Sequence, residues 1–353
     1  MVTFSPAAKR ISLPDTDALL APLIDDAVGS LAGAAPLLSE MVRYHLGLDD
    51  EPPTGSDGRN RRGKRLRPAL ALLCCEAAGG RVAMAAPLAA AIELLHNFTL
   101  IHDDIQDQSS HRRHRPTVWH RWGSAQAINA GDALFAAAHL PLLRLPVEGV
   151  SPALTLRLIE AFDRMTIQIV QGQVSDLQFE GSDAVRAKDY LAMIGGKTAA
   201  IVEFAAWGGA LVGGADDEAA GLFAAFGRSL GVGYQIRDDL LGIWGSTETT
   251  GKAAADDIRR RKQSLPILVL RERVSEAERR ELDRLYGDER VDEAGVKQIL
   301  ALLHAANVRD AIEHRIRGLH DEAQTALKAV PAGDPAARES LLAMISSLQR
   351  RDG

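Results

Sequence analysis

Residues 93–117 read ELLHNFTLIHDDIQDQSSHRRHRPT and bring together side chains that could do chemistry. On a helix of 3.6 residues per turn, His96, Asp103 and Asp107 fall on one face, with Asp104 beside Asp103. Three carboxylates this close repel one another unless positive charge lies between them. Leu94, Leu95, Leu100, Ile101 and Ile105 surround them, so this is not a solvated acidic face. Two arrangements satisfy such a group: an ion-pair cluster with nearby arginines, or a divalent metal site. Magnesium takes a few carboxylate oxygens together with waters and substrate phosphates, which an Asp-x-x-x-Asp pair can supply.

A second acidic pair follows in GYQIRDDLLGIWG, where Gln235 and Asp239 are four apart and Asp238 is adjacent, again inside an apolar helical pattern. Basic groups accompany both. RNRRGKRLR carries six Lys/Arg in nine positions, at 59, 61, 62, 64, 65 and 67; Arg112, Arg113 and Arg115 follow the first acidic stretch, and residues 259–262 follow the second. Arginine forks and lysines bind phosphate oxygens directly, whereas aspartates reach them through a metal ion. Separate basic groups suit two diphosphate ligands rather than one.

The elements that must position these groups are helices. Of 353 residues, 46% are hydrophobic, dominated by Ala and Leu, and only 5% are aromatic, a bias toward helix over strand. Apolar periodicity predicts helices over 15–30, 35–46, 69–78, 87–105, 125–143, 152–180, 188–212 and 218–241, with two or three more after residue 275. Strand signals are close to absent. Residues 49–63 are dense in Pro, Gly, Ser and charge and read as a loop. Gly227-x-x-x-Gly231-x-Gly233 follows no strand, so it reads as close helix packing rather than a nucleotide loop. The expectation is one all-α domain over 1–353, with an N-terminal extension over 1–50 and C-terminal helices over 275–353. The net charge of −6 argues against a basic nucleic-acid binder. No stretch of about 18 apolar residues runs uninterrupted, so no membrane-spanning segment is expected. The start lacks a signal-peptide layout, and adjacent Cys74 and Cys75 read as small buried residues of a reducing compartment; the expected location is the cytoplasm.

Taken together, the motifs resemble the trans-isoprenyl diphosphate synthase (polyprenyl synthetase) family over roughly residues 60–300. They are Gly63-Lys64-x-x-Arg67-Pro68, Asp103-Asp104-x-x-Asp107, Arg112-Arg113 with Pro116-Thr117, and Gly196-Lys197-Thr198. Gln235-x-x-Asp238-Asp239 comes next, then Gly251-Lys252 with Asp257 and Lys262 before Ser264-Leu265-Pro266. The resemblance implies a helical bundle around a central cavity, usually a homodimer, that condenses isopentenyl diphosphate with an allylic diphosphate. It implies isopentenyl diphosphate binding by Lys64, Arg67, His96 and Arg113. It implies allylic diphosphate binding by Arg112, Lys197, Thr198, Gln235, Lys252 and Lys262. Magnesium, three ions with substrate bound, would be held by Asp103, Asp107 and Asp238, with Asp104 and Asp239 as further ligands or supports. Departure of the allylic diphosphate would leave a carbocation, which the double bond of isopentenyl diphosphate attacks before a proton is lost.

Two positions depart from the family pattern: Gly242 stands where a third aspartate is common, and His114 where a glycine often follows the arginine pair. A class I terpene cyclase would not need the Lys64/Arg67/Arg113 set and would carry an Asn-Asp-x-x-Ser-x-x-x-Glu triad near Asp238. A silent partner subunit would be expected to lose aspartates. Product length is expected to depend on Phe98, about 7.5 Å before Asp103 at 1.5 Å rise per residue, and on Thr99, one turn before it. One aromatic, a small Thr99 and no insertion resemble geranylgeranyl diphosphate synthases, with farnesyl diphosphate as the alternative product.

Overall fold

Ala- and Leu-rich segments that end at Gly, Pro and Asp are good helix formers with defined stops, and they fold as helices. The protein is described by a computed structural model over residues 15–33, 35–48, 65–113, 115–179, 182, 184–245, 254–287, 290–331 and 333–349. It begins with α1 (Thr16–Gly29), α2 (Pro36–Leu46), α3 (Leu66–Ala77) and α4 (Val82–Gln106). A two-residue antiparallel hairpin, β1 (His111–Arg112) and β2 (Arg115–Pro116), leads to α5 (Val118–Trp122) and α6 (Ser124–Ala137). Next come α7 (Pro152–Phe179), α8 (Ala187–Ile194), α9 (Ala200–Val212) and α10 (Asp217–Trp244). The chain continues through α11 (Asp256–Arg259), α12 (Leu265–Arg273) and α13 (Glu276–Gly287) to α14 (Glu293–Ala305), α15 (Val308–Ala329) and α16 (Pro335–Gln349).

Three expectations change in detail. The helix expected to reach residue 143 stops at Ala137, because Pro141 has no N–H for the Ala137 carbonyl, and Pro141–Glu148 continues as 3-10 helix. The helix expected over 188–212 is helical but broken by a π turn at Gly195–Ala199. Four helices, not two or three, follow residue 275 among the described residues. The extra joints are short: Asp292 and Asp334 accept N–H bonds as caps, and a left-handed Asn307 (φ 49°) separates α14 from α15. An apolar pattern does not register a one-residue reversal of this kind.

Two apolar clusters meet along α10. Its first half (Phe223, Phe226, Leu230) packs into the cluster formed by α1–α4, α6, α7 and α9. Its second half (Ile236, Leu240, Ile243) packs with α8, α12, α14 and the start of α15. The glycines noted in the sequence lie where α10 meets other helices: a Cβ at Gly227 would stand 2.7 Å from the Val202 carbonyl oxygen of α9, one at Gly231 2.8 Å from Ala199 Cα of the π turn, and one at Gly233 3.5 Å from His320 of α15. Cys74 and Cys75 are buried, and burial pushes the Cys75 thiol up to about 12. α4 has the length and mean hydropathy (1.4) of a membrane span, yet 72% of its most apolar window is buried inside the protein, so it is a core helix. On α7, by contrast, Ile167, Val170, Val174 and Leu177 form an exposed stripe at helical spacing.

Candidate active site

α4 delivers the first acidic group at its C-terminal end. Asp103 is half-buried, and Asp107 caps the helix in an exposed position, its N–H donating to the Asp103 carbonyl. Asp104 points the other way. Only 2% exposed, it accepts from Nε and Nη2 of Arg112 at 2.8–3.0 Å. The hairpin places that arginine. Thr117 Oγ1 and Trp119 Nε1 donate to the Ser109 carbonyl, and left-handed Arg113 (φ 51°) turns the chain.

Lys197 comes from the π turn, a local widening that often marks functional sites. α7 approaches this turn at two glycines. A Cβ at Gly172 would meet the Lys197 nitrogen at 2.4 Å, and one at Gly196 would meet the Gln168 carbonyl oxygen at 2.8 Å. Lys197 Nζ lies 2.5 Å from Asp176, one turn along α7 from Gly172, and 3.6 Å from Asp103. Burial works against the ammonium, but Asp103 and Asp176 outweigh it and raise the Lys197 pKa. Thr198 Oγ1 donates to Gln235 Oε1, which joins the turn to α10.

On α10, Asp238 is half-buried and Asp239 is fully buried. Asp239 accepts from the Tyr190 hydroxyl (2.5 Å), the Leu265 N–H, Lys262 Nζ (3.3 Å) and Gln235 Nε2. Lys262 also lies 3.7 Å from Asp257. Its pKa is pulled down by burial yet ends above the ordinary lysine value because of these two carboxylates. A second basic group lies apart from these. Arg67 Nη1 is 3.1 Å from His96 Nε2. Arginine only donates, so this contact keeps the His96 proton on Nδ1. Burial, and then the charges of Arg67 and Arg113, depress the His96 pKa well below its ordinary value. Beneath them the Glu93 carboxyl, held by Asn97, is raised by burial against the pull of Arg65 and Arg67.

One cavity of about 630 Å³ gathers Asp107, Asp176, Tyr190, Lys197, Thr198, Gln235, Asp257 and Lys262. Phe98 and Thr99 do not line it: Phe98 packs edge-on to His102 and tilted against Phe135 of α6, and Thr99 Oγ1 donates to the His96 carbonyl. Lys64, Lys252 and His114 lie outside the described residues. Asp176 and Tyr190 escaped the sequence reading, and so did the part played by Asp257. Asp176 left one usable trace, a glycine one turn earlier on an otherwise bulky helix.

No group of three His, Cys, Asp or Glu side chains able to hold a metal occurs among the described residues. Magnesium does not require one, since it is commonly held by one or two carboxylates plus waters and phosphate oxygens. The oxygen-only pair Asp103 and Asp107 beside a polar cavity therefore fits it.

Fold and site together define a class of protein, a helical bundle in which aspartates on two helices pair with lysines at the edge of a polar cavity. The chain belongs to the polyprenyl synthetase family, whose model matches residues 57–303. A (2E,6E)-farnesyl diphosphate synthase of Mycobacterium tuberculosis is 44% identical over 232 residues, 66% of this chain and 63% of that protein, so the match spans less than two thirds of that relative. A geranylgeranyl diphosphate synthase of the same organism is 38% identical over 319 residues, 89% of this chain and 87% of that one. A polyprenyl synthetase structure from Streptomyces coelicolor A3(2) has a TM-score of 0.83 at 35% identity, covering 95% of this chain and 98% of that one.

Proposed function

We propose that the chain is a magnesium-dependent, chain-elongating prenyltransferase. It condenses isopentenyl diphosphate with an allylic diphosphate to an all-trans, short-chain prenyl diphosphate, geranylgeranyl diphosphate being the main product. The observation that carries this reading is the convergence of Lys197, Thr198, Gln235 and Lys262 with Asp107 on one cavity, while Arg67 and His96 form a separate group. Two anionic substrates need two such groups. Magnesium, held by Asp103, Asp107 and Asp238, would supply the charge neutralisation that lets a diphosphate leave.

The chain's own residues do the rest. Lys197 and Lys262 stay charged because carboxylates stand behind them, and they bind the allylic diphosphate with Thr198 and Gln235. Arg112, held by Asp104, belongs to the same allylic set, and Asp239 holds Lys262 from α10. Arg67, His96 and Arg113 hold isopentenyl diphosphate, with Lys64 and Lys252 completing the two sets. Phe179, Met193 and Ile194 form the apolar part of the cavity wall and would limit the water that quenches a cation. Phe98 and Thr99, on α4 before Asp103 and away from the polar cavity, would limit the growing chain if it runs along that helix. Farnesyl diphosphate is the second reading, favoured by the aromatic ring at Phe98 and by the 44% identical farnesyl diphosphate synthase. The exposed aliphatic stripe of α7 supports a homodimer, since monomers seldom expose contiguous apolar surface of this kind.

The test is an assay with labelled isopentenyl diphosphate and each allylic primer, with magnesium and with EDTA. The expected result is magnesium-dependent incorporation giving a twenty-carbon product. Absence of incorporation with every primer, or incorporation untouched by EDTA, would overturn the reading.

A further inference from the structure

A fully buried carboxylate such as Asp239 must find donors for its lone pairs or give up its charge. The Tyr190 hydroxyl (2.5 Å) and the Leu265 N–H (3.3 Å) donate to its Oδ2. Lys262 Nζ (3.3 Å) and Gln235 Nε2 (3.4 Å) donate to its Oδ1. An ionised carboxylate has about four such acceptor sites, so these donors fill it. Lys262 and Gln235 are also groups assigned to the allylic diphosphate. Gln235 Oε1 in turn accepts from Thr198 Oγ1, which orients the amide from both ends and carries the chain of bonds into the π turn.

Tyr190 makes the shortest of these bonds and has no role in the reaction as described so far. Its ring is only 2% exposed and belongs to the apolar cluster that holds Ile236 and Leu240 of α10. Packing therefore fixes the ring before any ligand arrives. Burial, and then the charge of Asp239, raise the Tyr190 pKa well above its ordinary value, so the hydroxyl keeps its proton and donates. With Oδ2 held in this way, Oδ1 is presented to Lys262 and Gln235.

We propose that Tyr190 is a positioning residue for the allylic diphosphate, acting through Asp239 to set where Lys262 and Gln235 stand. The inference rests on the prenyltransferase reading and deepens it. Without the hydroxyl, the carboxylate keeps one donor fewer on Oδ2 and can turn, and the lysine and amide on Oδ1 turn with it. The Arg67 and His96 pair shares none of these hydrogen bonds, so the isopentenyl diphosphate group does not respond.

The experiment compares Tyr190→Phe, Asp239→Asn and the double variant with the unaltered protein. Binding of inorganic pyrophosphate is measured by calorimetry with magnesium and with EDTA, alongside kcat, the Michaelis constants of both substrates and thermal melting. Tyr190→Phe keeps the ring, so it is expected to fold while weakening pyrophosphate binding and raising the allylic KM by about tenfold. The KM for isopentenyl diphosphate should stay within about twofold, and kcat should change less than the allylic KM. The double variant should bind pyrophosphate within about twofold of Asp239→Asn, because the hydroxyl acts only through that carboxylate. Pyrophosphate affinity and allylic KM unchanged in Tyr190→Phe would overturn the proposal. So would an equal rise of both Michaelis constants, or a double variant in which the two losses multiply. The first two comparisons need only Tyr190→Phe and stand even if Asp239→Asn does not fold. Failure of the unaltered protein to bind pyrophosphate with magnesium would instead refute the prenyltransferase reading on which the proposal stands.

Discussion

Replacing Gly172 by alanine tests whether the approach of α7 to the π turn sets the position of Lys197. The added methyl would sit 2.4 Å from the Lys197 nitrogen, 2.8 Å from its Cα and 2.9 Å from its Cβ. Non-bonded carbon contacts settle near 3.5–4.0 Å, so the turn must move by roughly 1 Å. Neither side can yield by rotating a side chain, because the obstacle is backbone. Overpacking of this kind costs about 1–3 kcal/mol. Lys197 Nζ sits 2.5 Å from Asp176 and 3.6 Å from Asp103, so the displacement also disturbs the ammonium. A misplacement of about 1 Å at a positioning group is associated with roughly a hundredfold loss of rate. Guanidinium unfolding gives the first quantity, and kcat/KM for the allylic substrate gives the second. Gly318→Ala on α15, where nothing lies within 4 Å of the new methyl, is the control and should be neutral or stabilising by up to about 1 kcal/mol. A Gly172→Ala protein with normal stability and normal kcat/KM would refute the idea that this contact sets the lysine.

Other perturbations follow from the same structure. His45, pushed down to about 3, and His96, also depressed, stay neutral in the folded protein, whereas the unfolded chain protonates both below about pH 6.5. The unfolded state then binds more protons, so their contribution is present above pH 6.5 and is lost as pH falls, by about 1.4 kcal/mol per pH unit for each histidine. Glu93 and Asp104, whose pKa values are raised by burial, partly offset this; a guanidinium midpoint unchanged between pH 7.5 and 5.5 would contradict the assignment. Phe98→Ala removes the ring that packs on Phe135 and should lengthen the product, read by chromatography of the dephosphorylated alcohols; an unchanged distribution would place the limit elsewhere. Val170→Glu in the exposed stripe of α7 should shift the mass measured by sedimentation from dimer to monomer, and an unchanged mass would exclude that face as the interface.

Helix content was legible because Ala- and Leu-rich periodicity is a local property. α1 and α2 fall within one residue of their expected limits. Spacing alone put His96, Asp103 and Asp107 on one face; the two aspartates both act on Lys197, whereas His96 pairs with Arg67. What spacing could not show is where a side chain turns once other helices arrive. Asp104 and Asp239 look like twins of their neighbours in the sequence, yet both are enclosed by partners from other elements: Arg112 from the hairpin, and Tyr190 with Lys262 from α8 and the segment after α11. The π turn was hidden because glycine in a helical pattern suggests an end or a weak point, and here it marks backbone contact with α7. Asp257 was visible as a motif residue, but its contact with Lys262 needed the turn after α11 to bring the two together.

The polarity of α4 has a consequence during synthesis, before the helices after it exist to bury it. At that stage its 25 residues have the length and hydropathy of a lipid-crossing segment. Glu93 lies near the middle of the helix, with Asn97 one turn further on. A charged residue at the centre of an inserting helix costs about 3 kcal/mol, while each leucine, isoleucine or phenylalanine returns about 0.3–0.6 kcal/mol. One ionised carboxylate thus cancels roughly five or more such residues. The acid that lies under the arginines of the finished protein therefore also biases the nascent segment away from the insertion machinery, and a leucine at that position would remove a barrier to mistargeting as well as a partner for Asn97.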